Sequence, residues 1–394
     1  MKGLQLVLAA GVAAFAVLSS AAGQPAPSPS ADDLIVAGDF AAAGPAYEAA
    51  LKASPQDAGA LAGLARVRLY ENTVDEAISL AQRALAVAPA NPVAQATLGT
   101  AQQRKAAASG DRYQISGSPP QTVIPFVATD PLPVVQVSIG GRQAYFLIDT
   151  GAPDLILAPD LVKELGLQTQ AAGEGVFAGG RRAPVERTVI PEIQLGALRI
   201  ANAPAAVMRQ GLQLPGPKIE GIIGTGLLMR FLPTLDYCRG ELVLRPRGAS
   251  AGAERAAERA RANIVPMWLA GDHFMLARAH LQQASDKLFL IDTGLAGGGV
   301  SATKATLDEA GVVIDPALAR TGMGGGGAVT VIPFRAGATL GSMTVEDVPG
   351  FYSPGGDPFG IFPFKVGGLL SHMFFRHSRL TLDFEAMRLI TEAC

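Results

Sequence analysis

The chain has 394 residues, of which 49% are hydrophobic and 17% charged, with a formal net charge of -2. That length holds two or three domains with cores of their own, and the balance of apolar to charged residues excludes a mainly disordered chain. No arginine-rich stripe interleaved with aromatics occurs, which argues against nucleic acid. There is no C-x-x-C or H-E-x-x-H, and the 4 histidines are scattered, so neither a metal nor another cofactor is expected.

The chain opens with a cation, Lys2, then an apolar run from Leu4 to Leu18, then the small residues Ser20-Ala21-Ala22. This reads as a secretory signal peptide over residues 1–22. An uncleaved membrane anchor is the alternative, because the run approaches the shortest bilayer span; the small-residue site favours cleavage. No later stretch is long and apolar enough to span a membrane, so a periplasmic or secreted location is expected. Export changes how the 2 cysteines read. Cys238 and Cys394 could pair in an oxidising compartment, and two separate thiols fit the sequence equally well.

After a Pro/Ser linker, residues 32–108 are rich in Ala and Leu at helical spacing. Leu51 and Pro55 recur as Leu85 and Pro89, an interval of roughly 34 residues. Leu61, Leu64, Ala65, Ala77, Ala81, Ala84 and Pro89 place small residues where helices would cross and a proline where the second would end. The pattern resembles a tetratricopeptide repeat, which implies antiparallel helix pairs and a surface for a protein partner. Pro45 falls inside the first predicted second helix and is expected to kink or break it. A generic helical hairpin domain is the alternative.

Residues 109–120 lose the helical spacing and read as a linker. From 121 the texture turns to short β-rich runs broken by Gly and Pro, in two units, 121–247 and 264–394. Between them, 248–263 is charged and Ala-rich and predicts a short solvated helix. The units match in order. V-I-P-F (Pro125) corresponds to I-V-P-M (Pro266). The hexapeptide F-L-I-D-T-G at Phe146–Gly151 returns letter for letter at Phe289–Gly294. Gly-rich turns follow at Gly179-Gly180 and at Gly324-Gly325. Leu195-Gly196 and Leu340-Gly341 come next, each with a later proline (Pro204, Pro349). G-I-I-G at Gly221–Gly224 corresponds to G-L-L-S at Gly368–Ser371, and T-L-D-Y (Asp236) to T-L-D-F (Asp383). This is an internal duplication.

Each unit resembles a retropepsin-type aspartic protease lobe, on the strength of its hydrophobic-hydrophobic-Asp-Thr-Gly loop and its later hydrophobic-hydrophobic-Gly motif. Two lobes in one chain also resemble the bilobal pepsin arrangement. The fold class expected is therefore multidomain: all-α hairpins, then an all-β bilobal acid protease, in which one chain suffices for the site. The resemblance implies an exported endopeptidase acting on extended polypeptide. The chemistry explains the residue types: two close carboxylates cannot both ionise cheaply, so one keeps a proton and the pair is acid and base at once.

Those roles fall to Asp149 and Asp292. By resemblance, Thr150 and Thr293 interlock the two loops, with Gly151 and Gly294 leaving room for the tight turn. Ile222, Ile223 and Gly224, with Leu369, Leu370 and Ser371, should pack behind them. Gly179, Gly180, Gly324 and Gly325 correspond to the flap that closes over substrate; an ordinary hairpin is the alternative. The second unit departs from the pattern. Leu295 stands where a small residue is usual and could crowd the cleft floor, Ser371 replaces Gly, and Gly297 to Gly299 read as unusually loose. Neither D-T-G is followed by a hydroxyl residue, since Ala152 and Leu295 hold those places, so the pair should titrate higher. A catalytically silent, peptide-binding scaffold is the alternative function.

Overall fold

A computed structural model describes residues 29–108, 111–117, 119–177, 181–208, 212, 214–324 and 327–394. The predicted signal peptide, and Gly179, Gly180 and Gly325, lie outside them. No helix among the described residues is long and apolar enough to cross a membrane.

The N-terminal region is helical: α1 (Ala31–Ala37), α2 (Phe40–Ala53), α3 (Ala58–Tyr70), α4 (Val74–Val87) and α5 (Pro92–Ala108). Side-chain oxygens start most of them. Ser30 forms a capping box with Asp33, and Asp39, Asp57 and Asn91 each accept from the backbone N–H three residues on. Ala77, Ala81 and Ala84 are fully buried where α4 crosses its neighbours. Pro45 does not break α2, which runs unbroken from Phe40 to Ala53. The proline forfeits one backbone donor, and the burial of Phe40, Ala43 and Tyr47 along the same helix offsets the loss.

The remainder is β-rich and forms two lobes joined by an antiparallel six-stranded sheet. Its order is 122–128, 241–246, 231–236, 378–383, 388–393 and 263–270. The lobes meet at the central pair, where Thr234 stands opposite Thr381 and their hydroxyls lie 2.7 Å apart. Repeated sequence has become repeated position about a pseudo-twofold axis. The recurring prolines mark where a strand changes sheet. Pro125 and Pro266 are the last residues paired in the shared sheet. The next residues, Phe126 and Met267, donate to Gly240 and Met387 while their strands enter the lobe sheets.

Two predicted linkers carry structure. Within 109–120, Gln114–Ser116 is an edge strand of the first lobe, paired with 199–201. The helix Ser250–Ala260 is not simply solvated: Ala253 and Ala257 are buried, and the Ser250 hydroxyl donates to Asp383 Oδ2 at 2.6 Å. Ala253 and Ala257 lie on the face that the shared sheet covers, and Ala256 and Ala260 are exposed.

The helical region is docked within the chain. Ile35, Phe40 and Tyr70 share a core with Trp268, Leu288 and Phe364 of the second lobe. The Phe40 ring lies 4.7, 5.8 and 5.0 Å from the rings of Tyr70, Trp268 and Phe364. Lys365 N–H donates to Val36 at 2.9 Å. The buried Arg104 guanidinium donates to the carbonyls of Leu69, Leu269 and Gly271, joining α3, α5 and the second lobe. A surface read as a site for a separate partner is thus partly occupied by the chain itself.

Removing the Phe40 ring should undo this docking. Phe40→Ala is expected to destabilise by about 3–5 kcal/mol. Trp268 is the only tryptophan of the sequence. Its emission should shift to the red at lower urea in the variant than in the wild type, and an unchanged midpoint would show that the docking contributes nothing.

Candidate active site

In each lobe one strand carries the Asp-Thr-Gly loop and a second, parallel strand lies behind it. Phe146, Leu147 and Ile148 pair with Gly221, Ile222 and Ile223; Phe289, Leu290 and Ile291 pair with Gly368, Leu369 and Leu370. The residue opposite each Phe is glycine because no side chain fits there: a Cβ on Gly221 would overlap the Phe146 ring, and one on Gly368 would overlap the Ser301 carbonyl and meet the Phe289 ring at 2.7 Å. The supporting strands then fix the loops. Asp149 N–H donates to Ile223 at 3.1 Å and Asp292 N–H to Leu370 at 3.0 Å.

The two loops hold each other. Thr150 N–H donates to Thr293 Oγ1 at 3.1 Å, and Thr293 N–H donates to Thr150 Oγ1 at 3.0 Å. The hydroxyls in turn donate across the seam, Thr150 to the Ile291 carbonyl at 2.8 Å and Thr293 to that of Ile148 at 3.2 Å. Both threonines are buried. Each aspartate Oδ1 accepts from the glycine N–H two residues on, at 2.8 Å for Asp149 and 2.9 Å for Asp292. Each carboxyl also rests against the glycine of the opposite loop. A Cβ on Gly151 would lie 2.6 Å from the Asp292 carboxyl, and one on Gly294 would overlap that of Asp149. The glycines are therefore required by close approach across the seam. Burial, and after it the neighbouring Asp292 carboxyl, push Asp149 well above the usual carboxylate range.

The loops differ behind this shared geometry. Gly224 admits no side chain, since a Cβ there would overlap the Asp154 carbonyl. Ser371 does have room, and its buried hydroxyl accepts from Leu295 N–H at 3.1 Å. Gly297 to Gly299 are not a loose segment. Gly298 and Gly299 are buried; Gly299 N–H donates to Pro349 and its carbonyl accepts from Ser371. A Cβ on Gly298 would meet Leu295 at 2.7 Å and Phe351 at 3.0 Å, so Leu295 fills space that the glycine vacates. Gly324 ends the strand Arg320–Gly324, paired with Gly327 in a hairpin. Cys238 and Cys394 are joined by a disulfide, with their Cα atoms 5.4 Å apart.

Sequence reading missed three polar supports. Thr225, next to Gly224, donates its hydroxyl to the Thr150 carbonyl at 2.8 Å. Asp154 accepts from Tyr113 at 2.7 Å and pairs with Arg112 at 3.0 Å, tying residues 111–117 to the end of the first loop. His372 takes the place of Thr225 in the second lobe; it is buried, 3.5 Å from Asp130 of the first. The adjacency of Thr225 and His372 to the repeated motif was the available signal.

Residues 135–227 match the family model of the aspartyl proteases, and residues 34–100 that of the tetratricopeptide repeat. The recognisable protease segment is thus the first lobe, and the helical region has the repeat expected of it. Similar solved structures include an aspartic proteinase from Irpex lacteus, 13% identical, covering 69% of this chain and 97% of that one at a TM-score of 0.42. Another is a retropepsin-like aspartic protease from Rickettsia conorii, 18% identical, covering 35% and 96% at a TM-score of 0.26. No curated protein matches the chain.

The raised Asp149 has a consequence for stability. A carboxyl whose folded value lies above its unfolded one favours the fold fully at low pH, and the contribution is lost as pH rises through the folded value. Asp149→Asn removes that loss. The variant should melt higher than the wild type at pH 7, and the difference should close near pH 3; melting curves across that interval decide it.

Proposed function

We propose that the chain is an exported aspartic endopeptidase that hydrolyses extended polypeptide with a water activated by Asp149 and Asp292. The observation that carries the reading is the mutual approach of the two carboxyls, each against the glycine of the opposite loop and both on loops locked by Thr150 and Thr293. The upward displacement of Asp149 supports a pair that holds one proton between two groups. The unprotonated carboxylate takes a proton from water, which attacks the scissile carbonyl. The protonated partner donates to the carbonyl oxygen and stabilises the tetrahedral intermediate, then returns a proton to the leaving amine. The first-lobe match to the aspartyl protease family supports a peptidase role, and the hairpin ending at Gly324 is the segment proposed to pair with substrate backbone. The apolar N-terminal run supports export, and the disulfide suits an oxidising compartment.

A silent binding module is the competing reading, favoured by the departures at Leu295 and Ser371. Asp149→Asn and Asp292→Asn, made separately, distinguish the two. Each should lower kcat/KM on an unfolded polypeptide by about three orders of magnitude or more while the far-UV spectrum is kept. A wild type that binds but never cleaves would establish the silent module instead.

Neither loop places a hydroxyl beside its carboxylate, and burial raises Asp149. The pH–rate profile should therefore peak in the weakly acidic to neutral range. A maximum between about pH 2 and 3, the range of the pepsin pair, would refute this reasoning.

A further inference from the structure

On the face of the shared sheet that the helix Ser250–Ala260 covers lies a small cavity of about 80 Å³. A single water needs roughly 15 Å³ of such space, so the cavity has room for a guest larger than one water. Ala253 and Ala257 form its roof, and two guanidiniums line it, Arg245 from the first lobe and Arg379 from the second, with the Glu392 carboxylate beside Arg379.

The two arginines are unequal. Arg379 is ion-paired twice, through Nε 2.9 Å from Asp236 Oδ2, a contact without hydrogen-bond geometry, and through Nη1 3.2 Å from Glu392 Oε2. Arg245 has one neutral partner, the Thr234 hydroxyl at 2.7 Å, and that oxygen is already shared with Thr381. The Arg245 Nε is buried with no partner among the described residues. The carboxylates that could serve Arg245 are committed elsewhere: Asp236 and Glu392 to Arg379, Glu254 to Arg388, and Asp383 to Ser250 and Arg388. The duplication explains the imbalance. Arg245 stands three residues past Leu242 as Glu392 stands three past Leu389, so one repeat carries a cation where the other carries an anion. Arg245 thus faces the cavity beside a second guanidinium with one donor unused, which an anion in that space would satisfy. Burial, then the nearby Arg379, oppose the Arg245 charge, and Glu392 and Asp383 offset them in part.

We propose that this cavity is an anion site that takes one compact tetrahedral oxyanion, held by Arg245 from the first lobe and Arg379 from the second. Guanidinium presents a planar fork to such an oxyanion, and the free Nε of Arg245 supplies the donor that no protein group uses. Because the arginines come from different lobes, the bound anion would bridge the seam.

The test uses inorganic phosphate and the whole chain. Melting temperature is measured against potassium phosphate, with potassium chloride at matched ionic strength as control. The wild type should show a saturable rise with phosphate that chloride does not reproduce. Arg245→Gln should weaken the apparent affinity at least tenfold. Without phosphate it should melt no lower than the wild type, because burial and Arg379 on balance oppose the charge it removes. Arg245→Lys keeps the charge and loses the fork, and should fall between the two; it decides the matter should Arg245→Gln not fold. Equal responses to phosphate and chloride, or an undiminished phosphate response in both variants, would overturn the site.

Discussion

The architecture rests on a repulsion that has to be contained. Two like charges 4 Å apart near a protein surface oppose each other by about 4 kcal/mol, and more where water is excluded. Part of the relief is chemical, since burial and the neighbouring Asp292 carboxyl make Asp149 hold a proton more tightly than an ordinary carboxyl does. The rest is mechanical. Four hydrogen bonds cross the seam through Thr150 and Thr293, each of about 1 kcal/mol net. Below them, strands 231–236 and 378–383 pair across the same seam. The disulfide ties Cys238, in the turn after the first lobe's central strand, to the last residue of the second. Its sequence separation of 156 would stabilise by about 5 kcal/mol in the chain-entropy account. Two carboxyls this close need rigidity beneath them, because small displacements of the loops change how strongly the two acids compete for one proton.

The helical region belongs to this mechanical frame. Successive residues of the second lobe's strands face alternate partners: Met267 and Leu269 the lobe's own core, Trp268 and Ala270 the helices. Phe289 and Ile291 point inward in the same way, while Leu288 and Leu290 pack with the helical region. Both faces of these strands are apolar, so neither tolerates water, and the lobe would expose a broad apolar face without the helices. Arg104 serves the same junction by donating to carbonyls on both sides of it. The repeat has taken the lobe as its ligand. A separate partner would have to use surface that this docking leaves free.

Much of the architecture was legible because duplication multiplies weak signals. One Asp-Thr-Gly means little, but two inside ordered matches specify a pseudo-twofold axis, and the loops, the supporting strands and Thr150 and Thr293 all follow from it. What stayed hidden depended on contacts between units. The hexapeptides are identical, yet Leu147 packs with Leu132 and Ile222 while Leu290 packs with the helical core. No local pattern distinguishes these fates. The same holds for Gln114–Ser116, too short to read as a strand until 199–201 lies beside it. Pro45 misled for the opposite reason: a correct local rule was outweighed by burial along α2.

The second lobe shows how a duplicated unit can drift while its geometry holds. At Gly224 the first lobe permits no side chain, because the backbone of Ala152 and Asp154 closes over it. A serine at the corresponding place would be excluded if the following segment took the same path. It does not. Gly298 and Gly299 let the chain turn inward against Leu295 and Phe374, and the space so opened takes the Ser371 hydroxyl, which accepts from Leu295 N–H. The three departures that looked like separate defects, Leu295, the glycine run and Ser371, are therefore one coupled change. Restoring any one alone would leave the other two without the contact that fits them. Glycine at 371 would leave Leu295 N–H without its acceptor, and a bulkier residue at 298 would collide with Leu295. Meanwhile Asp292 keeps the same backbone partner, the same glycine donor and the same threonine lock as Asp149. Drift has been confined to the layer behind the loop, where packing can be exchanged as a set, and has spared the layer in which two acids must face each other.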